Sequence, residues 1–202
     1  MLPTPPLLLI TDRTQARLPL VDVVAAAVAG GCRWVSLREK DLCPAGRLAL
    51  LAELRAVTGP AGAQLTVHGD LDAARACDGV HLGAGGDVTA ARDLLGPGAL
   101  VGVSCHTVDA VRRAAAAGAD YVTLSPIFLT DSKPGYGPAL GPGALRGAAA
   151  IGVPVLALGG VGVATAAACR EAGAAGLAVM GGVMRAAEPA GLVRRLLGAW
   201  CP

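Results

Sequence analysis

Aromatic side chains are almost absent, with two Trp, two Tyr and one Phe in 202 residues. With so few rings and a formal net charge of only +2, the chain lacks both the stacking platforms and the basic stripe that nucleic-acid binding needs. Charged residues are scarce too, 16% against 53% hydrophobic, a balance that excludes disorder and raises the question of a membrane span. No apolar run is long enough. The longest uncharged stretch, between Arg146 and Arg170, is cut by Pro154, Gly159, Gly160 and Gly162 into strand, turn and helix. In MLPTPPLLLITDR no basic segment precedes the apolar residues and no small-residue cleavage pattern follows, so this opening reads as a first strand, not a secretion signal. Paired C-x-x-C spacings are missing as well. Cys32, Cys43, Cys77, Cys105, Cys169 and Cys201 are scattered, and the expectation is reduced, mostly buried thiols in a cytoplasmic protein.

What is present is alternation. Short β-branched runs separated by longer helical patterns point to repeated βα units around a parallel sheet, in one domain over residues 1–202. The strands read as Leu7–Thr11, Trp34–Leu37, Gln64–His68, Gly79–Leu82, Leu100–Ser104, Tyr121–Ser125, Val153–Leu158 and Gly176–Met180. They are apolar at nearly every position, as expected for parallel strands covered on both sides. Leu20, Val23, Val24, Ala27 and Val28 recur at helical spacing, as do Val193, Leu196, Leu197 and Trp200. Eight units close a (β/α)8 TIM barrel, and Gly-rich turns after the last two strands favour it over an open doubly wound sheet. The Pro/Gly-rich segment from Lys133 to Gly143 reads as an active-site loop between strand six and its helix.

In such a barrel, polar residues just past the C-terminal ends of the strands form the site. Arg38 and Lys40 after strand two could be a solvated charge cluster, but their position suits a phosphate or carboxylate. His68, Ser104, Thr130, Ser132 and Lys133 follow strands three, five and six and are candidate substrate contacts. Gly159-Gly160 and Gly181-Gly182 could serve tight turns alone. As pairs at or near helix starts, with Met180, they also offer bare N–H groups to a phosphate. His106, in GVSCHT, is the candidate acid/base, with helix capping as the alternative. His81, in DGVHLG, reads as structural, and Cys105 as packing.

With LLLITDR, VSLREK, DGVHLG, GVSCHT, ADYVTLSPIFLTDSKPG, IGVPVLALGG and AAGLAVMGG in order, the chain resembles the thiamine phosphate synthase and TenI superfamily of (β/α)8 barrels. The resemblance implies a thiazole phosphate substrate and a homodimer. For the synthases it also implies a pyrimidine diphosphate held by a QLREK-like motif and by Mg2+ on two aspartates. Here Ser36 replaces the Gln, His68-Gly69 replaces Asn-Asp, and the second aspartate falls on Gly86, with Asp70 and Asp87 each one position away. Those departures resemble the TenI-type thiazole tautomerases, which use no metal or cofactor. On that model His106 moves the proton, Arg38 and Lys40 neutralise the substrate, Thr130, Ser132 and Lys133 help bind its carboxylate or close the loop, and the backbone at Gly160, Met180 and Gly181 holds its phosphate. The expectation is therefore a cofactor-free tautomerase, with a Mg2+-dependent synthase and a non-catalytic thiazole phosphate-binding regulator as alternatives.

Overall fold

The computed structural model describes residues 1–130 and 138–201. Eight strands, β1 (Leu7–Ile10), β2 (Trp34–Leu37), β3 (Gln64–His68), β4 (Gly79–Leu82), β5 (Leu100–Cys105), β6 (Tyr121–Leu124), β7 (Val155–Ala157) and β8 (Gly176–Val179), form a closed barrel in sequence order. Every neighbouring pair is parallel, and β8 closes on β1 through Leu7↔Leu177, Leu8↔Ala178 and Leu9↔Val179. Around it run α1 (Leu20–Ala29), α2 (Pro44–Thr58), α3 (Leu71–Ala74), α4 (Val88–Leu95), α5 (Val108–Ala116), α6 (Gly141–Ala149), α7 (Val163–Glu171), α8 (Gly181–Met184) and α9 (Pro189–Trp200). This is the α/β TIM barrel that the alternation of short apolar runs and helical patterns implies.

Several strands end differently from the sequence reading. β1 stops at Ile10, because Thr11 turns its hydroxyl to accept the Arg38 backbone N–H at 2.9 Å. β7 starts only at Val155, since Pro154 has no N–H to donate to the ladder. β6 and β8 end one residue early, and β5 runs one residue further, to Cys105.

Two apolar clusters hold the barrel. Alternate strand residues face the helices, where Leu20, Val23, Val24, Ala27 and Val28 bury the α1 stripe against them. The remaining strand positions fill the interior with Leu8, Ile10, Trp34, Leu100, Tyr121, Leu156 and Ala178. Tyr121 meets Trp34 edge-on at 4.6 Å between ring centroids. Its ring fits only because its partner in register is Gly102, where an added Cβ would stand 2.1 Å from the Tyr121 Cζ.

The six cysteines are unpaired, with Cys32, Cys105 and Cys169 buried, but Cys43 and Cys201 are exposed, against the expectation of general burial. Burial pushes the thiols of Cys32, Cys77, Cys105 and Cys169 up to about 11, so these four are poor nucleophiles near neutral pH. Among the described residues no helix is long and apolar enough to cross a membrane.

Candidate active site

At the C-terminal ends of the strands a cavity of about 500 Å³ opens, and Arg38, Lys40, His68, Ser104, His106, Thr130, Gly159, Gly160, Met180 and Gly181 all line it. Residues expected from separate strands thus converge on one space. Ser132 and Lys133 lie outside the described residues.

The REK turn after β2 shows how local folding sorts its charges. Glu39 points inward, only 4% exposed, and accepts from the Arg13 backbone N–H and guanidinium at 3.1 Å. That anchor leaves Arg38 and Lys40 on the cavity wall. Ser36, which stands where the resemblance expects Gln, is buried away from the wall with no partner for its hydroxyl.

His106 sits just beyond β5, its Nδ1 2.9 Å from the Ser125 carbonyl. A carbonyl only accepts, so Nδ1 is the donor in this contact, which fixes the plane of the ring at the cavity wall.

His81 does more than the sequence reading assigned to it. It is buried in β4, with Nδ1 3.0 Å from the Tyr121 hydroxyl and Nε2 2.9 Å from Ser104 Oγ, and it also lines the cavity. Burial, and secondarily the nearby charge of His68, push its pKa down to about 3. It therefore stays neutral and holds the Ser104 hydroxyl at the cavity wall. The signal that would have found it is register: Tyr121 lies 40 residues away, and only the closed barrel brings the two together. In the unfolded chain His81 titrates near the ordinary histidine value of about 6.5, so between about pH 6.5 and 3 that chain binds one more proton than the fold does. Stability should fall as pH drops through that window, and His81→Gln should flatten this acid limb in melting curves recorded from pH 7 to 4.

Gly159 and Gly160 also have a packing reason to be glycine. Gly159 and Gly160 have φ of +88° and +62°, and added Cβ atoms would stand 2.8 Å from Pro126 Cα and 2.4 Å from the Leu129 carbonyl oxygen. They are glycine because the segment after β6 packs onto them, with Ile127 donating to Leu158 O and Phe128 to Gly159 O at 2.9 Å. Nor do they open a helix, since α7 begins at Val163. Their backbone still forms the wall, as does that of Gly181, which does open α8. Gly160→Ala should cost about 1–3 kcal/mol and displace the segment carrying Thr130, lowering the melting temperature together with ligand affinity in calorimetry.

Carboxylates are missing from the cavity wall among the described residues. Asp70 caps α3 through the Ala73 N–H at 2.9 Å and pairs with Arg47. Asp87 caps α4 through the Ala90 N–H at 2.9 Å. No group of three His, Cys, Asp or Glu side chains able to hold a metal ion occurs among the described residues. The donor set there does not fit a resident Mg2+, which demands near-ideal oxygen geometry.

Residues 7–183 match the family described as thiamine monophosphate synthase, TMP-TENI. The chain belongs to that family. A putative thiamine-phosphate synthase of Geobacter sulfurreducens is 43% identical over 97% of this chain and 94% of its own. The thiamine-phosphate synthase of Roseiflexus castenholzii is 41% identical over 93% and 84%. A thiamine phosphate pyrophosphorylase from Pyrococcus furiosus superposes with a TM-score of 0.86 at 27% identity, covering 96% of this chain and 95% of that one. The family member therefore belongs to thiamine biosynthesis.

Proposed function

We propose that this family member is a thiamine-phosphate synthase, joining a pyrimidine diphosphate to thiazole phosphate with release of diphosphate. The curated relatives carry that name, which moves the weight from the tautomerase that the TenI-type resemblance implies to the transferase. The supporting observation is one cavity with two separate places for anions. Arg38 and Lys40 stand past β2, and the bare backbone of Gly160, Met180 and Gly181 lies past β7 and β8.

In this reading the thiazole nitrogen attacks the exocyclic methylene of the pyrimidine. The carbon–oxygen bond to the diphosphate breaks, and its electron pair leaves with the diphosphate. Arg38 and Lys40 hold the charge that grows there, the glycine wall holds the thiazole's phosphate, and Ser104, braced by neutral His81, offers a hydrogen bond to a ring. No step is assigned to a metal.

The lack of carboxylates among the described lining residues and the place of His106 on the cavity wall favour a second reading, the thiazole tautomerase. Two incubations separate them: pyrimidine diphosphate with thiazole phosphate, with and without Mg2+, and carboxylated dihydrothiazole phosphate alone in chelator. Thiamine phosphate in the first supports the synthase. Aromatisation in the second with none in the first overturns it, and tight thiazole phosphate binding with neither product leaves a regulator. His106→Ala adds an independent check, because alkylating the thiazole nitrogen moves no proton. Synthase turnover should stay within about tenfold, whereas a tautomerase would lose about 10²–10⁴-fold.

A further inference from the structure

We infer that Arg185 is the side-chain cation for the phosphoryl group at the β7–β8 end of the cavity, a specificity residue for phosphate monoesters. The inference deepens the proposed reaction and rests on it for the identity of the thiazole, though not for the phosphate.

A phosphate monoester carries about −1.5 to −2 charges at neutral pH. The glycine wall offers it only backbone dipoles, and α8 is a four-residue turn with little dipole of its own. Among the described lining residues the Lys and Arg side chains are Arg38, Lys40 and Arg185. The first two follow β2, and β1 separates that strand from β8. Arg185 alone stands beside the glycines. It caps α8 with its backbone N–H on Gly181 O at 3.0 Å, and its side chain reaches the same cavity.

The guanidinium is also held in place. Its Nη1 donates to Gln15 Oε1, while Gln15 Nε2 donates to Asp12 Oδ2 at 2.6 Å. The loop bearing Gln15 is tied to α8 by Arg17 N donating to Met184 O at 2.9 Å. A guanidinium carries five N–H donors in a fixed planar fork, a shape that suits the oxygens of a phosphoryl group. Fixing the fork before the ligand arrives lowers the ordering cost of binding.

The test uses calorimetry on the intact protein with three probes: inorganic phosphate, thiazole phosphate and the unphosphorylated thiazole alcohol. Arg185→Ala should weaken both phosphate probes by about tenfold or more, the loss of a charge-assisted hydrogen bond, and leave the alcohol unchanged. Arg185→Lys should fall between, and Gln15→Ala should lose a smaller factor, because it keeps the charge and releases only the anchor. Equal affinity of wild type and Arg185→Ala for both phosphate probes overturns the inference. So does an equal loss on the alcohol, which would mark general damage. An Arg185-dependent grip on inorganic phosphate with no binding of thiazole phosphate would keep Arg185 and sink the synthase reading.

Discussion

Arg38→Ala is expected to cut kcat for thiamine phosphate formation by about 10²–10³-fold, the range seen when one preorganised donor to a developing anion is removed. The direction follows from where charge appears. The diphosphate is bound before reaction, but it gains a full share of the breaking bond's electrons only in the transition state, so Arg38 contributes more there than in the ground state. Its backbone is pinned by Thr11 and its neighbour Glu39 is locked to Arg13, so the guanidinium is aimed by two anchors that do not depend on substrate. Steady-state kinetics should show kcat falling further than KM rises, with thiazole phosphate affinity unchanged in calorimetry. Arg38→Lys should recover only part, because an ammonium cannot reproduce the planar fork. An unaltered kcat in Arg38→Ala would remove this residue from the transfer step.

Gly102→Ala should be strongly damaging in the barrel interior, destabilising it by about 2–4 kcal/mol. The new methyl would stand 2.1 Å from Tyr121 Cζ, so the ring has to move. Moving it opens the 4.6 Å edge contact with Trp34 and the 3.0 Å hydrogen bond to His81. For a chain of this length the melting temperature should drop by roughly 5–15 °C. Damage should also reach the cavity, because His81 holds Ser104. A variant with wild-type melting and kinetics would show that the interior has slack the packing does not reveal.

Most of the scaffold was legible because its causes are local. Parallel strands covered on both sides are apolar at nearly every position, so Leu7–Ile10 and Gly176–Val179 stand out as continuous runs, and α1 declares its buried face by spacing alone. The convergence of Arg38, His68, Ser104 and His106 followed from topology once the strands were placed. What escaped depends on contacts between distant segments. The duty of His81 is set by Tyr121, and the reason for Gly160 lies in the backbone of Leu129. Arg185 belongs to no motif that the sequence singles out, and only the fold brings it to the mouth. Asp70 and Asp87, each one position from where the resemblance implies a metal ligand, are helix caps, a role any short carboxylate before a helix fills well.

The seam between β1 and β8, where Leu8 lies beside Ala178, sets the order in which the working molecule comes into being. The arginine–lysine turn at residues 38–40 leaves the ribosome well before β8 at residues 176–179. The first strand must nevertheless wait for the last before the ring shuts and the glycine floor exists. The complete cavity consequently exists only once β8 has joined β1, and ligand can reward only closed rings, drawing them out of the pool of open ones by mass action.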